Sequence, residues 1–309
     1  MKSNGTKWLI SATLVICMWG VALAQSTASD SVEKSQPTVT VPFFVEDSHG
    51  NPLTEILPSD LAVLDDKRTP SSVVAVHTAQ QLPLRLGLLI DNSGSQKYTK
   101  LYAPGAKAAF DFVNNIFNGP EDKVFVMGFA NDSGGTGFLN KDDFLKLKFT
   151  LEPGGHTALY DAVKLACSER MANDSMQHAR RVLVVMTDGD DNKSHVSLAK
   201  AILAAQDSRT MIFVIGTGSR YARSPFETTD VDPVLEQLAL ETGGLSFSGL
   251  EPKDLPKVFG TIKTRVDHMY SVIYIPGESG SAKHFHSVEL KITSDKQWKV
   301  HAPRGYAVQ

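Results

Sequence analysis

The sequence predicts an α/β chain: a doubly wound, Rossmann-like domain with a mainly parallel sheet, set between two β-rich flanks. Three observations predict it. Short apolar runs at 84–90, 124–129, 182–186 and 211–215 alternate with stretches of helical periodicity, the pattern of a parallel sheet covered on both faces. Residues 38–82 and 267–309 instead alternate apolar and polar positions between clusters of turn residues. The 309 residues are 42% hydrophobic and 21% charged, ordinary globular usage with enough apolar side chains for a sizeable core.

The elements follow in order. Lys2 and Lys7 precede an almost unbroken apolar run to Val21, and Ala22-Leu23-Ala24 has the small-x-small form of a signal-peptidase site. Residues 1–24 therefore read as a secretory leader cleaved after Ala24, placing the mature chain outside the cytoplasm, secreted or periplasmic, with no membrane span after cleavage. The apolar stretch is at the short limit for a span. Residues 25–37 are small and polar, a flexible linker.

The full chain carries 31 Lys and Arg against 34 Asp and Glu; loss of Lys2 and Lys7 moves the net charge from -3 to -5. That balance offers no general attraction for nucleic acid. Cys17 leaves with the leader, so Cys167 stands alone and no intramolecular disulfide can form. Cys167 shares a helical apolar face with Leu159, Val163, Ala166 and Met171 and reads as a structural thiol. Nothing in the sequence fixes the oligomeric state.

The first flank, 38–82, is the first part of a β-sandwich: strands at 39–45, 61–64 and 72–77 parted by the turn 47–52 and by Asp65-Asp66-Lys67. In the α/β domain, 83–266, helices are expected at 102–117, 159–171, 196–206, 231–242 and 252–266, the fourth closed by Gly243-Gly244. The stripe Phe110, Val113, Phe117 is core packing. Strands at 269–275, 286–293 and 298–301 make the second part of the sandwich, 267–309. Neither flank has enough strands to close a core alone, so the two are expected to join.

The chemistry concentrates where the first parallel strand ends, in Asp91-Asn92-Ser93-Gly94-Ser95. Ligands of a doubly wound sheet bind beyond the carboxyl ends of its strands. Asp91, Ser93 and Ser95 alternate along this loop, so three hard oxygen donors can converge, a set suited to Mg²⁺ or Mn²⁺. Thr157 at the start of a helix and Asp188 after the strand 182–186 fall at the same sheet edge.

This D-x-S-x-S loop with a distant Thr and a distant Asp resembles the metal-ion-dependent adhesion site (MIDAS) of von Willebrand factor type A (VWA) domains, over roughly 84–266. The resemblance implies that Ser93, Ser95 and Thr157 ligate the ion by hydroxyls and that Asp91 and Asp188 act directly or through water. It implies an Asp or Glu carboxylate of a partner protein as the completing ligand, because few direct carboxylates leave the ion electrophilic. Gln96 departs from the family, where a Met is common, and His156 stands where a small residue is frequent. The flanks, through Val45-Glu46-Asp47 with Gly50, the segments 61–65 and 270–276, and Arg304-Gly305-Tyr306, resemble secreted von Willebrand-related proteins common in acidobacteria.

Other readings fare less well. The bland one is a polar strand-to-helix turn with capping residues. An EF-hand starting at Asp188 fails, since Lys193 and Ala199 stand where Gly and Glu are required. Asp190 and Asp191 then read as solvated loop acids, and His284 with His286 as a polar sheet face without a third zinc ligand. A metal-dependent, phosphoesterase-like hydrolase using the same residues is the alternative function. Against it, Ser93 occupies the position of the second Asp of the phosphatase pattern. A Ser93-His156-Asp188 triad lacks the G-x-S-x-G elbow. The expectation is a non-enzymatic, metal-dependent adhesion module whose last helix runs almost directly into the second flank and could couple the two.

Overall fold

The strand that ends at Asp91 sits in the middle of a six-stranded sheet. The computed structural model describes residues 38–148, 150–176, 178–218, 232–277, 285–293 and 298–307. The leader read at 1–24, the linker at 25–37 and His284 lie outside the described residues. In chain order the α/β part comprises β4 (Leu84–Asp91), α1 (Tyr102–Ile116), β5 (Lys123–Phe129), β6 (Ser133–Gly135), α2 (Lys141–Leu145), α3 (Leu159–Leu165), β7 (Arg180–Thr187), α4 (Leu198–Asp207), β8 (Thr210–Gly216), α5 (Pro233–Glu241), β9 (Ser246–Phe247) and α6 (Leu255–Asp267). The flanks contribute β1 (Val39–Glu46), β2 (Leu61–Asp65) and β3 (Ser72–Thr78) before it, and β10 (Tyr270–Ile275), β11 (Phe285–Ile292), β12 (Lys299–His301) and β13 (Gly305–Ala307) after it.

The sheet order β6-β5-β4-β7-β8-β9 is parallel throughout except for β6, a short antiparallel edge. Every residue of β4, β7 and β8 is buried, which is why these runs show no alternation in sequence. At Gly87 an added Cβ would lie within 2.5 Å of Leu183 and Phe125, so the strands' own side chains fill the centre. One face packs on α1 and α6 through Phe112, Val113, Phe259 and Ile262. The other packs on α3, α4 and α5 through Leu159, Val163, Ala201, Leu235 and Leu238. Asp232 caps α5, accepting from the amides of Val234 and Leu235 with Pro233 in the first turn, and Gly243 (φ 83°) ends it.

The helix expected at 159–171 is α-helical only to Leu165, then widens into a π turn over Ala166–Met171, closed by Ala172 N–H donating to the Cys167 carbonyl at 2.9 Å. An α-helix would place Ala166 and Met171 well apart around its axis; the wider turn keeps both, with Cys167, on the buried face. Burial pushes the Cys167 thiol up to about 12, as befits a structural cysteine.

The flanks share strands and one core. β1 pairs antiparallel with β10 and β12, and β10 with β3, while β2, β11 and β13 form a second sheet. Between the two lie Val41, Phe43, Val63, Tyr270, Val272, Tyr274, Val288 and Leu290. Among the described residues the tail supplies four strands rather than three, since β13 is too short to show a period.

β1 is not the one-sided strand that its alternation suggests. Val41, Phe43 and Val45 face the sandwich core, but Phe44 joins the α/β core, packing on Phe213 and stacked at 4.4 Å on His301. Glu46 at its end accepts from Arg265 of α6 and lies 3.0 Å from His301 Nε2. Arg180, buried at the start of β7, donates to the Leu82 and Val266 carbonyls and pins the β3–β4 link to α6. Among the described residues no helix is long and apolar enough to cross a membrane. Because Phe44 fills space in the α/β core from a strand of the sandwich, Phe44→Ala should lower stability by about 3–5 kcal/mol. A denaturation midpoint unchanged by the substitution would show that the two cores do not depend on that ring.

Candidate metal centre

Three neighbouring strands end together. β4 delivers Asp91, β7 delivers Thr187 and then Asp188, and β8 leads to Thr217. Asp91 is 1% exposed and held at both oxygens: Oδ1 accepts from the Ser93 amide at 2.8 Å and Oδ2 from the Thr187 hydroxyl at 2.7 Å. The first contact is an Asx-type turn, which reverses the chain and brings the Ser93 and Ser95 hydroxyls within 3.0 Å of each other. Ser93 is buried and Ser95 exposed, so the loop grades from core to solvent within two residues.

Thr157 arrives through its loop. Gly94 N–H donates to the Gly155 carbonyl at 3.0 Å and Gly154 N–H to the Asn92 carbonyl at 2.8 Å, tying the two loops backbone to backbone. Gly155 sits at φ 76°, where an added Cβ would also come within 2.8 Å of Asn131. Asn131 in turn accepts from the His156 amide at 2.8 Å, while the His156 side chain is exposed. Thr157 is buried; its amide donates to Asn192 Oδ1 at 3.0 Å, and its carbonyl accepts from the Asn192 and Lys193 amides. The loop after Asp188 thus holds Thr157 in place.

Asp191 corrects the sequence reading. Its carboxylate accepts from the Tyr160 amide at 2.9 Å and the Ser194 hydroxyl at 2.6 Å, joining the start of α3 to this loop. Asp190 is exposed, as expected. Gln96 is the other residue whose part was not visible in sequence: 1% exposed, it accepts from Thr217 Oγ1 at 3.0 Å, and its Nε2 has no partner.

Burial raises the Asp91 carboxyl, against the Ser93 and Thr187 hydrogen bonds that favour its charge. Burial likewise raises Asp188; a hydrogen bond from Ser95 opposes this, and the charges of Asp91 and Asp190 add to it. Asp188 Oδ1 is buried with no hydrogen-bond partner. An unpartnered, desolvated carboxylate oxygen beside a second carboxylate and two hydroxyls is the environment that a hard cation would relieve, and the donor set is all oxygen. The residues fit such an ion.

The signs give a pH test. A raised folded-state value means that these groups contribute stability below the ordinary carboxylate range and lose it as pH rises through the raised values. In EDTA, wild type should therefore lose thermal midpoint relative to Asp91→Asn as pH rises above the ordinary carboxylate range. A gap constant with pH would mean that Asp91 titrates normally.

The sequence model of the von Willebrand factor type A domain matches residues 86–260. No curated protein matches the chain significantly. Similar solved structures include a von Willebrand factor type A protein from Catenulispora acidiphila, 14% identical over 89% of this chain and 75% of that one, TM-score 0.48. An aerotolerance-related membrane protein from Bacteroides fragilis is 18% identical over 60% and 98%, TM-score 0.43. Proximal thread matrix protein 1 of the mussel byssus, with a zinc-occupied MIDAS motif, is 17% identical over 64% of this chain and 48% of its own, TM-score 0.46. The sequence match covers more than half of the chain and the whole doubly wound sheet but for the first two residues of β4, and on that ground the protein belongs to the von Willebrand factor type A domain family.

Proposed function

We propose that this protein is a metal-dependent protein-binding module of adhesion type, secreted or periplasmic by its leader. Asp91, Ser93, Ser95, Thr157 and Asp188 hold one Mg²⁺ or Mn²⁺, and an Asp or Glu carboxylate of the partner completes its coordination. The observation that carries the reading is the buried, unpartnered Asp188 Oδ1 next to Asp91 and the paired Ser93 and Ser95 hydroxyls. With both carboxylates partly engaged by protein donors, the ion keeps enough positive charge to attract an acidic ligand.

The hydrolase alternative finds less support. The Ser93 hydroxyl pairs with Ser95, not with a histidine, and the His156 side chain is exposed. Nothing near Asp91 in the loop supplies the second carboxylate of a phosphatase.

Asp91→Ala should abolish Mg²⁺ or Mn²⁺ binding by calorimetry while circular dichroism stays native, since the ion's place is outside both cores. Unchanged binding in the variant would end the site assignment. Metal-dependent turnover of a phosphoester by wild type would favour the hydrolase.

We also propose that α6 couples the metal site to the sandwich. Two residues separate it from β10, and Arg265 ties it to Glu46 of β1. A partner can bias the helix only by its differential affinity for two arrangements, so the effect is reciprocal. A Gly/Ser linker inserted after Asp267 should change partner affinity in saturating Mg²⁺. An unchanged affinity in a folded variant would make α6 a spacer.

A further inference from the structure

We propose that Asp65, Asp66 and His286 form a second cation site, in the β-sandwich, suited to a divalent ion of the Zn²⁺ class. Consecutive residues of a strand point to opposite faces, yet Asp65 and Asp66 turn their carboxylates to the same histidine. The cause is the two-residue hairpin after β2. Asp66 (φ 49°) and Lys67 (φ 65°) are both left-handed, Asp65 and Arg68 exchange backbone hydrogen bonds at 2.8 and 2.9 Å, and the chain rotates as it leaves the strand. β11 pairs alongside, and Asp66 N–H donating to the Ser287 carbonyl sets His286 opposite the turn.

His286 Nδ1 is 3.3 Å from Asp65 Oδ1 and 3.3 Å from Asp66 Oδ2, and the three atoms lie within 4.8 Å of one another. Charge-assisted hydrogen bonds run shorter, about 2.7–2.9 Å. Two bonds of about 2.1 Å meeting near the tetrahedral angle span about 3.4 Å, which is the separation seen. The remaining oxygen of each carboxylate is held by other groups. Asp65 Oδ2 accepts from the Tyr274 and Tyr306 hydroxyls at 3.0 and 2.8 Å, and Asp66 Oδ1 from the Ser287 amide and hydroxyl at 3.1 and 3.3 Å. The His286 ring is stacked on Tyr306. Three donor atoms are thus aimed inward by an outer set of partners, the arrangement that fixes metal ligands in place.

One imidazole nitrogen with two carboxylate oxygens favours a borderline ion over Mg²⁺ or Ca²⁺, which take oxygen alone. The side chains of Asp65 and His286 are nearly buried, whereas that of Asp66 is 19% exposed. The sequence reading of His286 as part of a polar sheet face is corrected here: the residue is buried, and its partners come from the other flank. Bound there, the ion would clamp the turn after β2 to β11.

The test removes the other site first. Zn²⁺ titrated calorimetrically into Asp91→Ala should still bind at one equivalent and raise the thermal midpoint. Adding Asp66→Asn, the most exposed of the three, should weaken binding about ten-fold or more. His286→Gln should do the same, and the Asp66 variant decides if that one misfolds. An Asp91→Ala protein with native circular dichroism that binds no Zn²⁺, or equal affinity after Asp66→Asn, would overturn the proposal. Neither result bears on Mg²⁺ binding at Asp91, which wild type reports separately.

Discussion

A strand buried on both faces can offer chemistry only at its ends, and β4 is such a strand. Its eight residues are enclosed by neighbours in the sheet and by helices above and below. Asp91 is the first polar side chain that it presents as the sheet gives out, and it is still 1% exposed. The loops around it serve that position: Ser93 N–H and Thr187 Oγ fix the carboxylate, the two glycine-loop bonds bring Thr157 across, and Asn192 and Asp191 brace the far side. Most polar atoms at this edge are committed to one another. Gln96 Nε2 and Asp188 Oδ1 are not, and the carboxylate oxygen is where a cation has most to offer.

The same reasoning explains why the flanks cannot be separated from the sheet without loss. β1 belongs to two cores at once, with Val41 and Phe43 on one side and Phe44 on the other. Burial on both faces is unusual for a strand in a small antiparallel sheet, which commonly leaves one face wet. Here the second face is used as a joint, reinforced by Glu46 meeting Arg265 and His301, and by Arg304 meeting Glu241 at 3.1 Å.

Much of this was legible from sequence because its signals are local. The runs at 84–90, 124–129, 182–186 and 211–215 predict the parallel strands, and the D-x-S-x-S spacing marks the loop, since every member lies within five residues. Three kinds of feature were not legible. β6, β9 and β13 are two or three residues long, too short for any period to register. The role of Phe44 depends on a partner surface, and alternation alone assigns it to the solvent side. The meeting of Asp65 and Asp66 with His286 needs a hairpin rotation and a pairing between opposite ends of the chain, neither of which leaves a spacing to count. Asp191 failed for a related reason: a loop acid that binds backbone amides looks, in sequence, like one that binds water.

Cys167 has a practical consequence. It is fully buried among α3 and α4 side chains, with its thiol held up to about 12, so the thiolate that reacts with oxidants and alkylating reagents is scarce at neutral pH. No described cysteine can cross-link, and the folded domains need no oxidative step. A chain lacking residues 1–24 should therefore mature equally in reducing or oxidising surroundings. A single cysteine placed on its surface would be the one fast-reacting thiol, a unique handle for a dye or a spin probe near either proposed cation site.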